Sequence, residues 1–367
     1  MPKTEQQQWE AYVAQELELL RPFLTEHGLT LDEEQLHLQG ERFLMQAVTT
    51  SSGKKVILLG NTKSDERVVI KATSDLQGAQ ELAHERVCRN ALKNIAFAYE
   101  PFYTPKEILF ANNQGQTISI QEFIPQESTF LARPIEEQFF LALKGFKIQE
   151  SAHATTFEHA LVAERTFGQR TAKDYLRTYK EFVTNITQDA PVPPSLESHL
   201  LQGQALLEKD ERVIEQYSGF LTHTDFVPHN IRIQNQNIYL LDHSSLQFGN
   251  KYEGWARFLN FMELYHPKLK EYLLAYVEKN RTPEESVSLR LMRIYRLAEI
   301  IWYYTLAKSR SEGNLEKLNG ERIVFWSEVL SSVLSDSALP DSIRGTYIES
   351  RDALRSEDEK LRQKNLH

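Results

Sequence analysis

A chain of 367 residues, 41% hydrophobic and 25% charged, is long enough for two lobes and can bury a sizeable core without disulfides or a structural metal. Its net charge of −9 speaks against a general nucleic-acid binder, which needs a basic surface, and serves solubility or the attraction of a cationic substrate. Cys88 is the single cysteine, which excludes an intrachain disulfide and fits a reducing, cytoplasmic setting; no apolar segment opens the chain as in a secretory signal, and no run reaches the roughly 18 apolar residues of a membrane span.

Apolar residues Trp9, Val13, Leu17, Leu20 and Leu24 recur at helical spacing over 5–27, with a stop at Gly28 and a kink expected at Pro22. Short apolar stretches follow at 35–39, 42–48, 55–60 and 67–73. They are separated by the turn-rich Ser51-Ser52-Gly53 and by 61–65, which predicts antiparallel strands joined by hairpins. Ser74 or Asp75 can cap a helix that runs to Asn94. Strands at 107–111 and 117–123 flank the turn Asn112-Asn113-Gln114-Gly115. Beyond Ile124-Pro125 helical patterns dominate, broken chiefly by a strand-like stretch near 231–241. The apolar run 294–306 is interrupted by Arg296 and Glu299 and reads as a helix buried inside the protein. The expectation is an α+β chain without internal repeats. Residues 1–34 form a helical extension, 35–124 a small antiparallel β-rich lobe, 125–350 a larger helical lobe and 351–367 a charged tail.

The segment that carries chemistry is Leu221-Thr222-His223-Thr224-Asp225-Phe226-Val227-Pro228-His229-Asn230-Ile231-Arg232-Ile233. A turn at 234–237 and the strand Ile238-Tyr239-Leu240-Leu241-Asp242 follow it. Phosphoryl transfer asks for a carboxylate beside the attacking hydroxyl and for oxygen ligands that hold Mg²⁺ against nucleotide phosphates. A two-strand hairpin between Asn230 and Asp242 returns the chain, so that both stand at the same end.

This loop resembles the H-G-D-x-x-x-x-N catalytic loop of aminoglycoside phosphotransferases, choline kinases and their relatives, with Thr224 in place of the usual Gly. The resemblance implies a protein-kinase-like two-lobe fold, Asp225 as base, Asn230 and Asp242 as Mg²⁺ ligands, and His223 as a structural brace. His243 follows Asp242 where relatives usually carry an aromatic residue. Upstream, 67–72 resembles the strand whose lysine, here Lys71, pairs with the nucleotide phosphates. On the next helix Leu82, Cys88 and Leu92 form an apolar stripe with Glu85 on its side and Glu81 at its edge, so Glu85 is the expected partner of Lys71. Residues 49–55 lie where the phosphate-covering loop belongs. Ser52, Gly53 and Lys54 are its candidate contacts, although no G-x-G-x-x-G is present and no P-loop occurs anywhere. The strand 117–125 resembles the hinge, whose backbone at Glu122, Phe123 and Ile124 would read the base of ATP or GTP. The stretch 151–155 resembles a helix end with a Leu-His pair in relatives, with Ala152 for the Leu and His153 as a structural residue. Glu253 is the candidate for an acid that braces the catalytic loop, and 249–257 and 295–302 are candidate acceptor-binding segments.

The implied activity is transfer of the γ-phosphoryl of ATP or GTP, with Mg²⁺, to the hydroxyl of a small molecule, with no nucleic-acid or membrane partner. Three other readings stay open. They are a catalytically inactive kinase-like binding protein, a metal-dependent hydrolase built on His223, Asp225, His229, Asp242 and His243, and a protein kinase. Against the last, no A-P-E-like segment follows Asp242.

Overall fold

The computed structural model describes residues 5–32, 53–152, 157–189 and 194–355, together with Lys360. The strands expected at 35–39 and 42–48, and Ser52 and His153, lie outside these residues. Helix α1 (Glu5–Glu26) runs through Pro22 without ending there. Its Trp9, Val13, Leu20, Phe23 and Leu24 share one buried face, as their spacing requires. That face lies on an antiparallel sheet which, among the described residues, has five strands, β1 (Leu29–Leu31), β2 (Val56–Thr62), β3 (Arg67–Thr73), β4 (Glu107–Asn113) and β5 (Gln116–Glu122), in the order β1-β2-β3-β5-β4. Val56, Leu58, Val68, Ile70, Ala72, Ile118 and Ile120 complete this core. Because strand side chains alternate, the burial of Val68, Ile70 and Ala72 against α1 sends Lys71 to the opposite face. There α2 (Leu76–Leu92) begins, capped by Asp75, whose carboxylate accepts from Gly78 N at 2.9 Å.

Helix α1, set apart as an extension by the sequence pattern, belongs to the small lobe, because one apolar face of the sheet needs a cover. Glu16 fixes the join: wholly buried, it accepts from Ser74 N at 2.7 Å and from Gln116 Nε2 at 2.5 Å. A buried carboxylate met by these donors escapes most of its desolvation cost.

The second lobe contains α3 (Ile135–Ser151), α4 (Phe157–Phe167), α5 (Ala172–Asp189), α6 (Pro194–Lys209), α7 (Glu211–Gln216), α8 (Glu253–Tyr265), α9 (Pro267–Asn280), α10 (Pro283–Lys308), α11 (Gly313–Leu334) and α12 (Asp341–Leu354). Two short antiparallel pairs lie among them, β6 (Phe220–His223) with β9 (Leu246–Gly249), and β7 (Ile231–Gln234) with β8 (Asn237–Leu240). The expected buried helix is α10, whose Ile294, Tyr295, Leu297, Ala298 and Ile301 are all inaccessible. Among the described residues no helix is long and apolar enough to cross a membrane.

Helix α10 starts with a capping box, Thr282 bonding Glu285 N and Glu285 returning to Thr282 N. Glu285 also accepts from Lys251 Nζ at 2.6 Å and Tyr252 OH at 2.8 Å. Burial alone would raise its pKa, but Lys251 and these hydrogen bonds outweigh it and bring it down from 4.5 to about 2. A depressed carboxylate stabilises the fold above its unfolded pKa and loses that contribution as pH falls through the folded value. This contribution is therefore expected to fade between pH 5 and pH 2. Glu285→Gln should melt lower at pH 7 and show a flatter acid limb; equal acid limbs in the two proteins would contradict the assignment.

Candidate active site

Strand β6 carries Leu221 to His223 to the surface of the helical lobe, where the chain turns at Thr224-Asp225. Phe226 anchors that turn. It is 1% exposed and packs on Phe102, Phe146 and Phe258, with ring centroids 5.9–6.1 Å apart. Gly145 on α3 permits the approach, since a Cβ there would stand 2.7 Å from the Phe226 ring. Thr224 takes part in the same arrangement, donating through N and Oγ1 to the Ser245 carbonyl at 2.9 and 3.1 Å.

Asp225 and Asn230 are joined by a short 3-10 turn, Pro228–Asn230. Asn230 Nδ2 donates to the Asp225 carbonyl and to Asp225 Oδ2, both at 2.8 Å. Strands β7 and β8 then form the expected hairpin, its tight turn placing Asn235 and Gln236 at φ of 50° and 66°. The Leu241 amide returns to the Asn230 carbonyl at 2.8 Å, so Asp242 ends beside Asn230. Asp242 sits in the left-handed region at φ 52°, and its carboxylate accepts from Ser244 Oγ at 2.7 Å and Ser245 Oγ at 2.9 Å. His223 donates from Nε2 to the carbonyls of Leu241 and Asp242 at 3.0 and 3.1 Å, which ties the two ends of the site together.

In the small lobe Lys71 Nζ meets both Glu85 oxygens, at 2.5 and 2.8 Å. Burial would raise the Glu85 carboxyl, but Lys71 and His243 hold it well below the usual carboxylate range. His243 is fully buried beside Glu85, and burial lowers its own pKa. Glu85 thus touches both the β3 lysine and the residue after Asp242.

The hinge region is partly committed. The amides of Glu122 and Phe123 donate to Lys106 O and Arg67 O, and the Arg67 guanidinium lies 4.9 Å over the Phe123 ring. Among the described residues the amide of buried Ile124 has no hydrogen-bond partner. Gly53 and Lys54, expected to touch phosphates, are turned to α2 instead. The Gly53 amide donates to Glu81 at 2.8 Å, the Lys54 amide to Asp75 at 3.2 Å, and the Lys54 ammonium lies over Tyr12. The acceptors are the cap of α2, Asp75, and Glu81 further along it, which is read from sequence as peripheral and also pairs with Lys55.

Glu253 is wholly buried and accepts from Tyr175 OH and Gln247 Nε2, both at 2.6 Å, beside Arg296 and Arg170. Its hydrogen bonds run to helices and to β9 rather than to the catalytic loop. That loop is braced by Gln149, whose Oε1 accepts from His223 N at 3.0 Å, and by Gly254 N, which donates to Thr222 Oγ1. Of the two candidate acceptor segments, 295–302 is largely core: Tyr295 and Ile301 are inaccessible and Trp302 stacks on Phe182. From the other segment comes a residue the sequence did not single out. Arg257 donates from Nε to Asp225 Oδ1 at 2.8 Å, with side chains 19% and 26% exposed. Among the described residues no group of three or more His, Cys, Asp or Glu converges as a metal site, and His223 and His243 are engaged or buried inside the fold, which disfavours the hydrolase reading.

No protein-family model and no curated protein matches the chain in sequence. Solved structures match it in fold. A thermostable mutant of the aminoglycoside phosphotransferase APH(4)-Ia, in a ternary complex with AMP-PNP and hygromycin B, aligns with a TM-score of 0.59 at 13% identity, over 87% of this chain and 98% of that one. A GDP complex of an aminoglycoside 2'-phosphotransferase-IIIa mutant gives 0.57 at 13%, over 89% and 97%. Macrolide 2'-phosphotransferase MphH from Brachybacterium faecium gives 0.55 at 15%, over 83% and 97%. The chain therefore carries the protein-kinase-like two-lobe fold of the aminoglycoside and macrolide phosphotransferases.

Proposed function

We propose that this protein transfers the γ-phosphoryl of ATP or GTP to a hydroxyl of a small molecule. The observation that carries the reading is the position of Glu85, which pairs with Lys71 and lies against His243, so that the small-lobe cation stands at the end of the hairpin that bears Asn230 and Asp242. The complexes of similarly folded proteins with AMP-PNP and hygromycin B, and with GDP, support the same class of chemistry.

In this reading Asp225 Oδ2 is steadied by Asn230 and Oδ1 by Arg257. The carboxylate is the group that would take the proton of an acceptor hydroxyl. Lys71, held extended by Glu85, meets the nucleotide phosphates, and the backbone at Ile124 meets the base. The residues present suit a hard divalent cation. Among the described residues Asn230 has committed its amide nitrogen and keeps Oδ1, and the Asp242 oxygens accept from the hydroxyls of Ser244 and Ser245. Asn230 Oδ1 and Asp242 would hold Mg²⁺, which when bound neutralises the charge on the phosphates. Two protein donors suffice, because Mg²⁺ keeps waters and substrate oxygens in its shell.

The deciding experiment is thermal melting with ATP or GTP, with and without Mg²⁺. A Mg²⁺-dependent rise supports the reading and licenses a screen of hydroxyl acceptors; no rise with either nucleotide removes it. Arg257→Ala is expected to reduce the transfer rate about 10- to 100-fold with the nucleotide shift intact, the worth of one hydrogen bond to a charged group. Labelled-phosphate transfer measures this, and an unchanged rate would limit Arg257 to packing.

A further inference from the structure

We propose that Arg232 is a second cation of the nucleotide site, supplied by the helical lobe, and that it holds the nucleotide's phosphate chain from the side opposite Lys71. This rests on the phosphotransferase reading above. Ile231 and Ile233 flank Arg232 and are both buried in the helical-lobe core. Strand alternation therefore puts Arg232 on the other face of the β7–β8 hairpin, beside its register partner Tyr239.

The edges of that hairpin are closed. Ile233 N donates to Gln126 Oε1 at 3.4 Å, and on β8 Tyr103 bonds Ile238 O and Leu240 N at 3.0 and 2.9 Å. The Arg232 face belongs to the hinge side of the molecule. Tyr239 rings against Tyr103 at 5.4 Å and lies near enough to Glu122, the last residue of β5, to feel its charge.

Arg232 is half-buried, and its Nη1 donates to the carbonyls of His229 at 3.1 Å and Ile231 at 2.9 Å, on either side of Asn230. The guanidinium is thus pinned next to a proposed Mg²⁺ ligand. Among the described residues it pairs with no carboxylate, whereas Arg257, Arg293 and Arg296 each have one. A partly desolvated cation without a counter-ion is costly, and an arriving anion recovers that cost. With Nη1 engaged, Nε and Nη2 find no acceptor among the described residues and form a planar pair of donors, the geometry that suits phosphate oxygens.

The test is calorimetric binding of ADP, GDP, adenosine and guanosine, all with Mg²⁺, to wild type, R232Q and R232M. Both variants are expected to lose about 10- to 100-fold in diphosphate affinity with nucleoside affinity unchanged. R232M, which removes the desolvated charge, should melt at or above the wild-type temperature, so a folding defect in R232Q alone does not obscure the result. Equal loss for diphosphates and nucleosides, or no loss, overturns the proposal. A wild type that binds neither diphosphate overturns the phosphotransferase reading instead, which keeps the two failures apart.

Discussion

Replacing Asp225 with Ala is expected to lower phosphoryl transfer by about 10²- to 10⁴-fold while the Mg²⁺-dependent nucleotide shift survives, the usual worth of a positioned acid–base group. The carboxylate is 26% exposed and so within reach of an acceptor, yet each oxygen is fixed, one by Asn230 and one by Arg257. Its removal leaves Lys71, Glu85 and Asp242 in place, because none of their hydrogen bonds runs through it. Asp225→Asn keeps the shape and half of the hydrogen bonding, so it separates loss of charge from loss of geometry. Transfer within tenfold of wild type in both variants would take the role away from Asp225.

The second large effect is expected at Asp242. A ligand present at a hundred times its Kd stabilises the native state by about 2.7 kcal/mol, a rise of roughly 3–6 °C for a chain of this size. Asp242→Ala should abolish that rise. The left-handed backbone at φ 52° complicates the variant, since Ala adopts it less readily than Asp, so the unliganded protein should melt slightly lower. The quantity to compare is therefore the shift on adding nucleotide and Mg²⁺, not the absolute melting temperature. Asp242→Asn tolerates the same backbone and should show a reduced shift; a full-sized shift in both variants would exclude Asp242 as a ligand.

Local signals made much of this legible. The alternation around Lys71 and the helical stripe around Glu85 each name a face, and two named faces determined one contact. Likewise the Gln234–Asn237 turn between two short apolar stretches makes a hairpin unavoidable, and the hairpin brings Asp242 back to Asn230. What could not be read depends on distant partners. Arg257 reaches Asp225 across 32 residues from a helix whose orientation is set by Trp255 stacking on Phe146, 3.9 Å away. Nothing in its own neighbourhood marks it out from a surface arginine. The partners of Gly53 and Lys54 are hidden for a related reason: their amides meet Glu81 and Asp75, and that outcome is decided by how α2 sits on the sheet. The three-residue β1 is too short to produce a pattern, and it owes its place to pairing with Gly60, Asn61 and Thr62.

The Lys71–Glu85 pair is largely buried, with side chains 14% and 5% exposed. A protein that must first rearrange to reach its competent state weakens every ligand by the fraction of molecules already in that state. Lys71 is seated on Glu85, with buried His243 beside the carboxylate, so the placement of this lysine depends on how α2 sits. A substitution that loosened α2 would therefore act on every ligand of the site in the same proportion, as a shared penalty rather than a lost contact.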